Sequence, residues 1–323
     1  AAGAEFTLKY STMGPPTGPI PTCHAFRLLE EIKTASGGRI DYETYLGGTA
    51  FANPVKQYEQ AARGVMDITE GPLTYVPGRF ALTEISTLPL LMTDNVAGSI
   101  AMTRLADEWL AEEFEDIHLM GIILTTPYQF HMAKPIDNAM DLEGRRLRVS
   151  GPSLTAIVET FNGTPAAMPL PETYENMQRG VLDGVIAPWT AVAAFKLQEV
   201  SKVHIQADLS VGLTFMGMSK KFYDSLPKDL QEMMDSKFMG EKIAENGARC
   251  FQKVDEFAMK LAREHGNEIV VISKEDREAA IEKLKPVVET LIADVEDKGK
   301  KGRAFHDALV AEIAKVETEL AAR

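Results

Sequence analysis

Apolar residues alternate at Phe6, Leu8 and Tyr10 and then recur at Ala25, Phe26, Leu29, Ile32 and Ala35, which predicts a short strand leading into a helix that Gly37-Gly38 ends. Ile40, Tyr42 and Tyr45 predict a second strand. Asn53-Pro54 offers an N-cap followed by proline at the first helical position, Val55, Tyr58 and Ala62 continue that helix to Gly64, and Val65 to Thr69 reads as a third strand. A second βαβαβ order returns after residue 140: strand Arg146 to Val149, helix Pro152 to Phe161, strand Pro165 to Met168, helix Pro171 to Arg179, strand Val181 to Ile186. Parallel strands joined by helices need cover on both sheet faces, so two α/β domains are expected, each with its own sheet.

Between the units lie a predicted helix, Ala97 to Phe114, and strands Ile117 to Leu124 and Tyr128 to Ala133. Strands at Val203 to Ile205 and Thr214 to Met218 follow the second unit, and each pair would carry the chain across to the other domain. From Pro227 to His265 the pattern is continuously helical, with Gly240 and Gly247 its weak points; unbroken, it would run about 58 Å and brace both domains. Ser273 and Asp276 form a capping box for a further helix that Pro286 is expected to interrupt, and Phe305 to Leu320 reads as a terminal amphipathic helix.

The chain has 323 residues, 34 Lys and Arg against 47 Asp and Glu, and a net charge of −13. That balance, without a basic cluster, argues against nucleic acid and anionic membrane surfaces as partners. No run of apolar residues reaches spanning length, so the chain is not expected to be membrane-embedded. Cys23 and Cys250 stand alone; an oxidising compartment would permit one long-range bridge, but two separate small buried hydrophobes is the favoured reading. The opening Ala1-Ala2-Gly3-Ala4 reads as the small-residue tail left by signal-peptide removal.

Phosphate loops, dinucleotide fingerprints, zinc-protease helices and nucleophile elbows are missing from the sequence, and no cofactor or metal is expected. His118 and His131 sit in apolar strands and read as structural, and Asn162-Gly163-Thr164 reads as a turn. The third strand of each unit ends in a pocket-like loop, Glu70-Gly71-Pro72-Leu73 and Ala187-Pro188-Trp189-Thr190. Ligands of open α/β sheets bind beyond the carboxyl ends of strands, so two such edges make a cleft, with Thr12-Met13-Gly14-Pro15-Pro16 lining the same opening. Arg148 carries the strongest expectation. Leu147 and Val149 take one sheet face and Arg148 the other, where helices would cover it; a buried guanidinium then needs an anion, either a ligand carboxylate or an internal Asp or Glu.

Asp141-Leu142-Glu143-Gly144, Leu147-Arg148-Val149, Thr164-Pro165, Met168-Pro169, Glu172, Tyr174, Gly180-Val181-Leu182-Asp183-Gly184 and Pro188 together resemble the extracytoplasmic solute receptors of tripartite ATP-independent periplasmic (TRAP) transporters, the DctP family. Gly37-Gly38-Arg39-Ile40, Gly64-Val65-Met66-Asp67 and Ser219 to Pro227 extend the likeness along nearly the whole chain. The resemblance implies a two-domain Venus-flytrap fold, divided as 1–124 plus 213–253 and 125–212 plus 254–323, with a long domain-spanning helix. It implies that Arg148 grips the ligand carboxylate. It also implies departures: Ala187 stands where many members have an Asn, Tyr128 where sialic-acid-type members have a second arginine, and Leu170 where a pocket aromatic is usual.

Fewer polar groups beside a retained Trp189 favour a small monocarboxylate with an apolar or aromatic body over a sugar acid. The expected ligand-binding set is Arg148, Tyr128, Glu70, Met13, Met168, Leu170, Ala187, Trp189 and Phe215. By the resemblance the protein is a periplasmic, non-enzymatic monomer that hands its acid to a membrane permease. The alternatives are a periplasmic sensory partner and an α/β enzyme using Glu70 as base with Arg148 as substrate clamp.

Overall fold

A computed structural model describes residues 3–136 and 140–323. Ala1 and Ala2, half of the expected signal-peptide tail, lie outside the described residues. The first half of the chain runs β1 (Phe6–Thr12), α1 (Phe26–Ala35), β2 (Ile40–Tyr45), α2 (Gln57–Ala62), β3 (Ile68–Pro72), α3 (Asn95–Leu105), β4 (Ile117–Pro127), β5 (Gln129–Met132), β6 (Arg146–Val149) and α4 (Gly151–Thr160). It continues with β7 (Thr164–Ala167), α5 (Thr173–Gln178), β8 (Gly184–Ala187), α6 (Trp189–Ala194), β9 (Val203–Gln206), β10 (Val211–Ser219), α7 (Lys220–Ser225), α8 (Lys228–Lys237), α9 (Glu241–Glu264), β11 (Glu268–Val271), α10 (Lys274–Asp297) and α11 (Gly302–Ala321).

Two sheets result, ordered β2-β1-β3-β10-β4 and β11-β9-β5-β8-β6-β7. The βαβαβ units pair in parallel as expected, but both sheets are mixed: β10 runs antiparallel to β3 and β4, and β5 antiparallel to β8 and β9. The reversal follows from the crossings. β4 of the first sheet passes through Tyr128 into β5 of the second, and β9 of the second returns through residues 207–210 into β10 of the first. Strands that arrive from the other lobe enter against the direction of the crossover units.

Each sheet is covered on both faces. In the first lobe, Leu8, Tyr10, Ile68 and Met218 pack toward α1 and α8, while Tyr58, Phe80 and Phe215 pack on the other face toward α3. In the second, Leu147, Val149 and Ile186 pack on α4 and α10, and Val185, Ala187 and Trp189 on the C-terminal half of α9. Helix α11 buries Phe305, Leu309, Ile313 and Val316 in the first lobe's cluster with α3. Its place is therefore with the first lobe, whereas the expected division put the last helix with the second.

The predicted long helix is broken. Gly240 takes φ +80° between α8 and α9, a conformation that ends one helix and starts the next. Gly247 instead stays inside α9 because it packs on β4: a Cβ there would lie 2.6 Å from Ile123 Cδ1. The remaining α9, about 36 Å long, still reaches from the first lobe, through Ile243 and Phe251, to the second, through Ala258 and Ala262. Pro286 lies within α10 without ending it. Ser273 caps that helix as expected, its Oγ accepting from the Asp276 N–H at 3.0 Å. The two cysteines are joined, with Cα atoms 5.9 Å apart, which corrects the unpaired reading; the bridge ties a π-turn over Pro21–Ala25 to α9. Among the described residues no helix is long and apolar enough to cross a membrane.

Candidate functional site

The strand ends that close the gap between lobes are set by register. Thr12 pairs with Glu70, and Glu70 with Met216, so Glu70 sits in the middle of the first sheet at the end facing the second lobe. Arg148 pairs with Ala166 on one side and Val185 on the other, in the interior of the second sheet. Its parity opposite Leu147 and Val149 turns it away from their core, and it is fully buried. Nε donates to the Met168 carbonyl at 2.8 Å, Nη1 approaches the Ile186 carbonyl at 3.5 Å, and Nη2 donates to Tyr75 Oη at 2.7 Å. All are neutral oxygens. Arg148 forms no ion pair among the described residues, so the internal Asp or Glu weighed from the sequence is not its partner.

Tyr75 connects this guanidinium to a cavity of about 80 Å³ between the lobes. The volume is below the ~300–1,000 Å³ typical of sites for drug-sized ligands. Its walls are chiefly apolar, from Met13, Pro15, Ile20 and Pro72 of the first lobe to Leu170, Pro188 and Phe195 of the second, with polar atoms from Glu70, Tyr75, Ser150 and Thr190. Open grooves of about 820 and 740 Å³ continue outward, one past Tyr75 and Ser150, the other past Met13 and Phe195.

Of the residues expected from the sequence, Met13, Glu70, Tyr128 and Leu170 line the cavity. Arg148 lies one contact behind it, through Tyr75. Met168 gives its carbonyl to Arg148 and lines the larger groove, its sulfur accepting from Asn176 Nδ2 at 3.8 Å. The other three stand elsewhere. Ala187 is buried, with its carbonyl 3.0 Å from His131 Nε2. Trp189 packs against His131 and His204, at ring centroid distances of 5.2 and 4.8 Å, beneath the neighbouring Pro188 and Thr190 that do reach the cavity. Phe215 belongs to the aromatic cluster behind the first sheet, 5.7 Å from Tyr58. All three side chains lie in helix-covered layers: Trp189 and Phe215 bury their rings there, and Ala187 packs in the same cluster as Trp189.

Tyr75, Ser150 and Phe251 escaped the sequence reading, whereas Thr190 stood in its expected cleft loop. Tyr75 follows the Glu70-Gly71-Pro72-Leu73 loop by two residues, so extending that loop would have found it. Its phenol oxygen accepts from both Arg148 Nη2 and the Leu170 N–H, the latter at 3.1 Å, where two donors converge as they would on a carboxylate oxygen. Glu70 is held from behind: Oε2 accepts from Tyr10 Oη at 2.6 Å, and Oε1 lies 3.4 Å from His24 Nδ1. Burial raises the Tyr10 phenol well above its usual range, with Glu70 adding to the shift, and burial likewise raises Tyr128, against the nearby Arg148 charge. Behind the second-lobe wall, Thr190 Oγ1 donates to Asp255 of α9 at 3.0 Å, and burial pushes the Asp255 carboxyl up to about 7.

The family model described as bacterial extracellular solute-binding protein, family 7 (DctP), matches residues 20–294. A solute-binding protein of Albidiferax ferrireducens is 26% identical over 220 residues, covering 63% of this chain and 62% of its own length. The match thus spans less than two thirds of that curated relative. A TRAP solute-binding protein from Rhodoferax ferrireducens, solved with copurified benzoate, superposes with a TM-score of 0.90 at 29% identity, covering 97% of this chain and 99% of the other. A second, from Bordetella bronchiseptica with bound (R)- and (S)-mandelate, gives 0.85 at 26% identity, covering 96% and 99%.

Proposed function

Because the chain belongs to bacterial extracellular solute-binding protein family 7, we propose that it is the periplasmic receptor of a TRAP transporter, capturing a small monocarboxylate with an aromatic body and handing it unchanged to a membrane permease. The observation that carries the ligand class is Arg148: a permanently charged guanidinium, fully buried, held by neutral oxygens, one contact from a small apolar cavity. A ligand carboxylate supplies the missing anion, and the apolar walls take the ring. Benzoate and mandelate in the two solved relatives support the same class.

Arg148, Tyr75 and the Leu170 N–H form the carboxylate end in this reading, and Met13, Tyr128, Leu170 and Phe195 enclose the body. The lobes are linked at Tyr128, at residues 207–210 and by α9, so closure about these links gives the ligand contacts from both sides that favour the closed state. Mass spectrometry of small molecules released on denaturing the purified protein, followed by calorimetry with benzoate and mandelate, tests the reading. An aromatic acid recovered intact and binding at micromolar concentration or below is expected. Recovery of a sugar acid, or no binding by any aromatic monocarboxylate, would overturn it. Solution scattering should also report a smaller radius of gyration with ligand than without.

A further inference from the structure

We propose that Glu70 sets ligand choice within this cavity: it accepts a hydrogen bond from the end of the ligand remote from the carboxylate and repels a second carboxylate there. The proposal rests on the aromatic-monocarboxylate reading above and names the substituent which that reading leaves open. Glu70 is 4% exposed and lines the cavity from the first lobe, while Arg148 and the Leu170 N–H belong to the second lobe and meet at Tyr75, which reaches across from the first. Register fixes it between Thr12 and Met216, and Tyr10 and His24 hold one oxygen each from behind.

A carboxylate offers about four acceptor sites, so Tyr10 and His24 leave capacity toward the cavity. The cavity wall is chiefly apolar, including Ile20, Pro72 and Leu213, with Thr12 and Thr214 also lining it. An apolar ligand pressed against Glu70 would strip its water and return nothing, whereas a ligand hydroxyl replaces the lost bond. A site built to bond a hydroxyl rejects the analogue without one far better than an apolar pocket rejects an added methyl group. A second carboxylate would meet a like charge at close range away from water, which disfavours it further. The class selected is therefore a hydroxy-substituted aromatic monocarboxylate, with dicarboxylates excluded.

Calorimetry on the wild-type protein with benzoate, 3- and 4-hydroxybenzoate, 3- and 4-methylbenzoate, isophthalate and terephthalate tests this without any substitution. The better hydroxy isomer should bind about 10- to 100-fold more tightly than the methyl compound of the same shape, and neither dicarboxylate should bind. Glu70→Gln keeps an acceptor for Tyr10 and the same volume; in it the hydroxyl-to-methyl ratio should fall close to unity and dicarboxylate binding should emerge. Equal wild-type affinities for the hydroxy and methyl compounds, with benzoate bound, overturn this proposal and leave the ligand-class reading standing. So does a ratio that survives Glu70→Gln. Failure of every one of these acids to bind the wild type removes both.

Discussion

Arg148→Met separates what this residue does for the fold from what it does for the ligand. Methionine keeps most of the aliphatic stem and removes the charge. The folded chain then loses the bonds from Nε to Met168 and from Nη2 to Tyr75, at 2.8 and 2.7 Å; the 3.5 Å approach to Ile186 counts for little. Two charged–neutral bonds at about 1.5–3 kcal/mol each amount to about 3–6 kcal/mol. Against this stands relief from holding a desolvated ion without an acidic partner, which is itself several kcal/mol. The two nearly cancel, so the ligand-free variant should melt within a few degrees of wild type. Ligand binding should respond differently. Truncating one member of a buried charge pair costs about 2–5 kcal/mol, or about 30- to 5,000-fold in Kd. At a ligand concentration 100 times the wild-type Kd, the wild type gains about 2.7 kcal/mol of stability and the variant at most about 0.9 kcal/mol. Thermal melts with and without benzoate, with calorimetry beside them, measure both quantities. Arg148→Lys, which lacks the planar fork, should not restore binding. A ligand-free variant destabilised well beyond this estimate, yet still shifted by ligand, would refute the reasoning and make Arg148 a structural residue.

Replacing Cys23 and Cys250 together by serine should cost about 3–5 kcal/mol, because the bridge closes a loop with a sequence separation of 227 residues; equal melting temperatures for variant and wild type under non-reducing conditions would contradict it. Asp255 titrates at about 7 in the folded chain against about 4 unfolded, so its contribution to stability is full below pH 4 and is lost as pH rises through 7. Asp255→Asn should therefore gain on wild type by up to a few kcal/mol between pH 4 and pH 8, and identical urea midpoint differences at the two pH values would rule the titration out. Gly247→Ala improves helix propensity by about 1 kcal/mol but drives a methyl to 2.6 Å from Ile123, so denaturant unfolding should show a net loss of about 1–2 kcal/mol rather than a gain.

The sequence alone determined what depends on neighbours a few residues apart. Period-two and period-3.6 patterns placed the two βαβαβ units, and the alternation Leu147-Arg148-Val149 assigned Arg148 to the face opposite the core before any fold was known. Ser273 and Asp276 announced their cap in the same way. Only the tertiary structure decided what meets across long separations. Cys23 and Cys250 are joined because the π-turn before α1 packs on α9, which no local pattern encodes. The Gly240 break and the unbroken helix at Gly247 differ because β4 presents Ile123 to one of them and the other must turn. Tyr75 reaches Arg148 across 73 positions from a loop without periodicity, and Trp189 turns under its own loop onto His131 and His204. Periodicity fixes which face of an element is buried; which partner waits on that face is settled by how the two sheets and α9 pack together.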